Sequence, residues 1–298
     1  MRIVVIYNPQ SGPLGKRCKP VQQIDRWMRE EGFRPEWRAT QKPGDGSLLA
    51  REALAGRPDL VVAYGGDGTM NEVASALAGG AVPMGVLPGG TGNVLADELG
   101  IPCDPRRALR VLKTGCRRRV SLGAAGDRPF LLWAGIGLDA AIAATIPRSW
   151  KRTFGKMGFL MHGLLFWLRH PLPSFQLRMD GADYSAGMAL LANARCYGGG
   201  LRPLPHAEMT SGFLDVCLLP DCGRVRYLRY LWAARTGRLG ELPGVTVTRT
   251  RSACGLGPPG VPVQIDGECI GSLPMDFRIL PDALTLMVPE ASVPGSLD

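Results

Sequence analysis

The sequence predicts an α/β N-terminal domain built on a parallel sheet, followed by a β-rich C-terminal domain built as an antiparallel sandwich. Up to about residue 115, short apolar runs alternate with stretches whose apolar residues recur at helical spacing, the pattern of a parallel sheet covered by helices. After Arg117-Arg118-Arg119, strand-like runs follow one another with only turn signals between them, as in antiparallel pairing. Three polar, glycine-bearing turns closing strands of the first part add the place where a ligand would sit. The expected domains are 1–120 and 121–288.

In chain order, the apolar run 2–7 is a strand that ends in Asn8-Pro9-Gln10-Ser11-Gly12, with Lys16, Arg17 and Lys19 just behind. Val21, Ile24, Trp27 and Met28 mark an amphipathic helix stopped by Gly32. Residues 33–40 form a weaker strand, and Asp45 or Ser47 caps a helix that ends near Gly56. Residues 60–64 are a strand that runs into Gly65-Gly66-Asp67-Gly68-Thr69, and Met70, Val73, Ala74 and Leu77 give the next helix. Residues 82–87 form a strand that ends in Pro88-Gly89-Gly90-Thr91-Gly92-Asn93, before a short helix 94–99 closed by Gly100. Asp104-Pro105 caps and opens a helix through Leu109 and Leu112, closed by Gly115.

Right-handed crossovers put the C-terminal ends of parallel strands on one side of the sheet, where ligands of open α/β sheets bind. The turns NPQSG, GGDGT and PGGTGN should therefore share one edge. Such turns offer backbone N–H groups to an anion at a helix N-terminus. Asp67 at the centre of a phosphate cradle repels phosphate unless a cation intervenes, which points to a nucleotide phosphate held together with Mg²⁺. The plainer alternative is that Asp67 caps its own helix.

In the second part, strands are expected at 119–122, 130–134, 175–179, 184–191, 245–253, 261–265, 276–280 and 283–288, with one helix at 224–235 capped by Asp221 and followed by Gly237. Asp266-Gly267-Glu268 ends a strand, and Asp-Gly is also the commonest hairpin dipeptide. Asn193 precedes a second glycine-rich loop, Tyr197-Gly198-Gly199-Gly200, and Asp139 in Gly135-Ile136-Gly137-Leu138-Asp139-Ala140 is a plausible cap. Residues 147–173 carry Arg148, Lys151, Arg152 and Lys156 before the apolar MGFLMHGLLFWL. That run is too short to span a bilayer. It is either a buried helix or a segment dipping into a lipid interface beside its basic cluster.

Composition limits the function classes. In 298 residues, 45% are hydrophobic and 20% charged, which supports a packed core rather than disorder. The formal charge of +9 favours anionic partners such as a nucleotide or an anionic membrane surface. Among the eight cysteines there is no CxxC pair, and Met1-Arg2 runs straight into IVVIY. A reducing, cytoplasmic setting without a signal peptide is expected. No GxSxG elbow and no GxxxxGK[ST] loop occur, against serine-hydrolase and Walker-type ATPase chemistry. The arginines lack the aromatic interleaving of an RNA-binding module, so no nucleic-acid partner is expected.

Taken together, these motifs resemble the diacylglycerol kinase catalytic-domain family of lipid kinases, which includes sphingosine kinases and bacterial lipid kinases. The resemblance runs over Asn8-Pro9 with Ser11-Gly12, 65–69 followed at once by Asn71-Glu72, 88–93, 135–140, Tyr197 to Gly200 with Pro205, Gly212 to Asp215, and Asp266 to Glu268. GGDGT alone is shared with NAD kinases and is similar to a phosphofructokinase motif. Asn-Glu directly after it, with a late Asp-Gly-Glu, is more specific to the lipid kinases.

The resemblance implies a nucleotide-binding α/β domain of NAD kinase and phosphofructokinase type, a β-sandwich acceptor domain, an active site between them, and a C-terminal return of 289–298 to the first domain. It implies transfer of the γ-phosphate of ATP to a lipid hydroxyl, diacylglycerol-like, with Mg²⁺. By resemblance, Asp67 holds the metal, Asp266 accepts the hydroxyl proton and Glu268 supports metal or base. Asn8, Ser11, Lys16, Gly65, Gly66, Asp67, Gly68, Thr69, Asn71, Glu72, Gly89, Gly90, Thr91 and Asn93 line the nucleotide. Asp215 belongs to a second, structural metal site. Many relatives carry an aspartate directly after the PGGTGN asparagine; here that residue is Val94, and Asp97 one helical turn on could substitute. A peripheral association with the membrane and a homodimer are the expected assemblies. The alternatives are an NAD kinase-like kinase of a soluble hydroxyl and a non-catalytic lipid- or nucleotide-sensing module.

Overall fold

The computed structural model describes residues 1–12, 21–145, 174–220 and 224–290. It divides into two units, Met1–Val120 with the chain from Asp282 onward, and Ser121–Pro281. Lys16, Asp221, the 147–173 segment and residues 291–298 of the expected C-terminal return lie outside the described residues.

The first unit is built in chain order from β1 (Arg2–Tyr7), α1 (Val21–Glu30), β2 (Arg34–Ala39), α2 (Asp45–Ala55), β3 (Leu60–Gly65), α3 (Asp67–Leu77), β4 (Met84–Pro88), α4 (Val94–Leu99) and α5 (Pro105–Thr114). The strands pair in parallel in the order β2-β1-β3-β4. Ile3 to Ile6 and Leu60 to Tyr64 are buried at every position. This suits strands covered on both faces, and explains why they read as continuous apolar runs. Leu286 pairs beside Met84, so the chain near its C-terminus adds to this sheet.

Helix ends follow local chemistry. Asp104 accepts the Arg107 N–H at the start of α5, and Gly32, at φ 86°, closes the end of α1. The start of α2 differs from expectation: neither Asp45 nor Ser47 caps it. The Glu72 carboxylate on α3 accepts the N–H groups of Gly44 and Gly46, each at 2.8 Å, and Ser47 Oγ donates to the Glu72 carbonyl.

The second unit contains the second half of β5 (Cys116–Ala125), then β6 (Arg128–Phe130), β7 (Trp133–Gly137), α6 (Leu138–Thr145), β8 (Phe175–Met179), β9 (Ala182–Ala186), β10 (Met188–Ala192), β11 (Leu214–Leu219), α7 (Arg224–Thr236), β12 (Thr246–Thr250), β13 (Ser252–Leu256), β14 (Pro262–Ile265), β15 (Glu268–Ser272) and the first half of β16 (Met275–Val288). One sheet runs β12-β11-β10-β7-β14-β15; across from it, β9, β8, β13 and β16 pair antiparallel. Phe130, Ile136, Leu177, Leu191, Val216, Val263 and Phe277 belong to the core between them.

Several expected strands divide. The 184–191 run breaks at Gly187 into β9 and β10, and 245–253 breaks at Arg251, because its halves join different sheets. The two expected strands 276–280 and 283–288 are one strand, β16. The unexpected β15 has no fully buried residue, hence no alternating apolar pattern to betray it. Among the described residues, no helix is long and apolar enough to cross a membrane.

Candidate active site

All three expected turns of the first unit lie at the C-terminal ends of parallel strands: NPQSG after β1, GGDGT after β3 and PGGTGN after β4. Thr40, a buried residue at the end of β2, joins the same edge, its N–H donating to the Tyr7 carbonyl. The apolar pattern gave no signal for Thr40; only the parallel register reveals it.

GGDGT and PGGTGN are pressed backbone to backbone. The Gly89 N–H donates to the Gly65 carbonyl at 2.7 Å, and a Cβ on Gly90 would stand 2.5 Å from the Gly66 Cα. Gly65 is needed for a different reason: a Cβ there would meet Thr69 Oγ1 at 2.7 Å. At Gly68 an added Cβ meets nothing within 4 Å, so no packing constraint of the fold demands glycine at that position.

Asp67 begins α3 without capping it. Its Oδ1 accepts the Leu95 N–H at 3.1 Å, so the carboxylate caps α4, in the neighbouring turn. Gly92 leaves room for the other oxygen, since a Cβ there would lie 2.8 Å from Oδ2. Desolvation raises the Asp67 pKa, the Leu95 and Val94 N–H groups oppose the rise, and the charge of Asp97 adds to it. Two carboxylates thus stand within electrostatic reach of each other, Asp97 being exposed.

Other residues of the first unit have structural work. Asn8 Oδ1 accepts the Gln10 N–H, folding the first turn over buried Ser11. Thr69 is buried, Thr91 exposed, and Asn71 Oδ1 is buried with no hydrogen-bond partner. Two residues expected at the nucleotide have partners within the fold. Both Glu72 oxygens are engaged at the start of α2. Asn93 locks its own turn: at φ 51°, its Oδ1 accepts the Gly90 N–H and its Nδ2 donates to the Gly90 carbonyl.

In the second unit, Asp266 and Gly267, at φ 46° and 82°, form the turn between β14 and β15. The Asp266 carboxylate accepts three consecutive backbone N–H groups, Leu131 on Oδ2 at 2.8 Å, and Leu132 and Trp133 on Oδ1 at 2.9 and 3.0 Å. Glu268, two residues on, is exposed. The turn is also held from within. Gln264 Oε1 accepts the Gly267 N–H at 2.6 Å, and Gln264 Nε2 donates to Asp139 Oδ2 at 2.6 Å. The Tyr197 hydroxyl donates to Asp139 Oδ1, and its ring meets Trp133 edge-on at 5.2 Å. Asp139 is therefore no cap but the buried centre of a network joining Gln264 to the Tyr197 loop. Burial pushes its carboxyl above the ordinary range, against these two donors.

Asp215, expected at a structural metal, has a different partner. Arg249 Nε donates to its Oδ1 at 2.7 Å, and Arg249 Nη2 to the His206 carbonyl at 3.1 Å. A guanidinium supplies the positive charge there, and among the described residues no group of three metal-ligating side chains occurs. The residues fit a cation better at Asp67, a partly buried carboxylate on which the negative charge of Asp97 also bears. Mg²⁺ ordinarily takes only one or two carboxylates and completes its shell with water and substrate phosphates.

Comparison with known proteins fits this arrangement. A model described as the diacylglycerol kinase catalytic domain matches residues 2–125. A second, described as the YegS C-terminal NAD kinase beta sandwich-like domain, matches residues 133–288. A Pseudomonas putida protein named "Probable lipid kinase YegS-like" is 32% identical over 273 residues, 89% of each chain. A Mycobacterium tuberculosis protein named "Diacylglycerol kinase" is 32% identical over 258 residues, 82% of each chain. For the fold alone, a crystal structure of a diacylglycerol kinase from Bacillus anthracis superposes with a TM-score of 0.77 at 22% identity, over 98% of each chain.

Proposed function

The chain belongs to the diacylglycerol kinase catalytic-domain family of lipid kinases, and from that premise we propose that it transfers the γ-phosphate of ATP to the hydroxyl of a diacylglycerol-like lipid, with Mg²⁺, at a membrane surface. The observation that carries the ATP half is the glycine-lined edge of the parallel sheet, with the Asp67 carboxylate set among its turns. The N–H groups of these turns would hold the phosphates, and Asp67 with Asp97 would hold Mg²⁺, which neutralises charge on the transferring phosphoryl group.

Phosphoryl transfer asks mainly for positioning. In the second unit Asp266 supplies it, pinning residues 131–133 and the turn that bears Glu268. Because the Asp266 oxygens are already engaged by three amides, the exposed Glu268 is the better acceptor for the lipid hydroxyl's proton. This reverses the division of labour that the resemblance implies.

Transfer of labelled phosphate from ATP to a panel of lipids tests the reading; no labelled lipid from any member overturns it. Glu268→Gln should abolish turnover with an unchanged melting temperature. Asp266→Asn should lower both, since an amide cannot accept all three N–H groups equally. If Asp266→Asn alone abolishes turnover without destabilising the fold, the base is Asp266.

A further inference from the structure

One face of α7 is left unused by the packing of its own unit. Tyr230, Ala233 and Ala234 are buried, which places Arg229, Trp232 and Arg235, at spacing i, i+3 and i+6, on the outward face. Trp232 is 62% exposed. Arg229 and Arg235 flank it one turn before and one turn after, and neither makes an ion pair among the described residues. Arg238 and Arg249, by contrast, are paired with Glu241 and Asp215.

Val247 extends the surface. It lies on β12, the edge strand of its sheet, and a Cβ added to Gly240, just after α7, would stand 3.0 Å from Val247 Cγ2. The large apolar side chains exposed among the described residues are Met1, Leu48, Trp232 and Val247, and the two in the second unit both fall in this segment. Residues 224–251 carry seven arginines against one acidic residue, Glu241, so six of the chain's nine net positive charges lie in this short stretch.

We propose that the α7–β12 face docks on an anionic lipid surface. Trp232 has the amphipathic ring that settles at the level of lipid headgroups, and arginines beside it meet anionic headgroups. A second copy of the chain fits poorly, because a two-fold interface would set this basic patch against itself. Nucleic acid phosphates would satisfy the arginines but leave Trp232 and Val247 without an apolar partner. The proposal rests on the lipid-kinase reading for what docking accomplishes, which is to bring the enzyme to a substrate confined to the membrane.

The test is co-sedimentation of the full chain with vesicles of phosphatidylcholine alone, or of phosphatidylcholine with phosphatidylglycerol. Arg229→Gln with Arg235→Gln should weaken binding to the anionic vesicles by about fivefold per arginine, progressively less as salt rises. Binding to phosphatidylcholine should stay as it was. Trp232→Ala should weaken binding to both. The three-residue variant should lose turnover of vesicle-borne diacylglycerol and keep turnover of a dispersed short-chain diacylglycerol, with an unchanged melting temperature. Vesicle binding equal to that of the unsubstituted chain overturns the proposal and leaves the kinase reading standing; so does a change from dimer to monomer without a change in vesicle binding. If no lipid is phosphorylated at all, the kinase reading fails, and sedimentation still decides the docking face.

Discussion

Asp67 shows how one side chain can answer both of its possible descriptions. It is a cap, but of α4 rather than of α3, and it is the partly buried carboxylate beside the phosphate-type turns. The two roles separate by substitution. Asp67→Asn keeps an oxygen for the Leu95 N–H and removes the charge. It should retain the melting temperature and lose Mg²⁺-dependent ATP binding in calorimetry. Asp67→Ala should lose that binding as well, and about 1 kcal/mol of stability from the missing cap. Equal ATP affinity in Asp67→Asn and the unsubstituted chain would remove Asp67 from the metal site. The motif was legible in the sequence because a carboxylate between glycines contradicts a plain phosphate cradle. What Glu72 and Asp215 do was not, because each is bound by a residue that sequence distance hides. Glu72 reaches Gly44, and Asp215 reaches Arg249 across a strand pair.

Elements were legible wherever burial is continuous or alternating. β1, β3 and α5 stand where their patterns put them, with Asp104 and Gly115 at the ends of α5. The sequence was silent where a strand has no apolar face, as at β15, and where a run crosses from one sheet to another, as at Arg251. At the turns, glycine is required by close approach at some positions and not at others, which gives a paired test. Gly90→Ala drives a Cβ to 2.5 Å from the Gly66 Cα, backbone against backbone. It should cost about 1–3 kcal/mol of stability and disrupt ATP binding with it. Gly68→Ala meets nothing, lies within α3 and has no positive φ. It should leave the melting temperature equal or raise it, by up to about 1 kcal/mol in stability. If ATP lies along this turn, Gly68→Ala weakens it while stabilising the protein. Unchanged ATP affinity would move the phosphates away from Gly68.

At the scale of the whole chain, the acids fall into two groups with opposite pH responses. Asp25, Glu31, Asp183 and Glu241 are held below their ordinary pKa values by hydrogen bonds from Arg29, Lys113, Arg178 and Arg238. Their contribution is present above the unfolded pKa and is lost as pH falls through the folded one. These pairs are largely exposed, so salt screens them. Asp139 belongs to the other group: desolvation raises its pKa above 3.8. Its contribution is fully present below the unfolded value and is lost as pH rises through the folded one. In high salt, acidification from neutrality should therefore recover stability through Asp139, over the window between its raised pKa and 3.8. Asp139→Asn should flatten that part of the difference in melting temperature between the two proteins. It should also disturb the turn at Glu268. An amide in place of the carboxylate can turn its N–H₂ toward Gln264, whose own amide must then flip, leaving the Gly267 N–H facing a donor. Turnover should fall while ATP affinity in the first unit is retained. A variant with the same pH dependence as the unsubstituted chain would mean that Asp139 ionises alike in the folded and unfolded protein, and that burial does not raise its pKa.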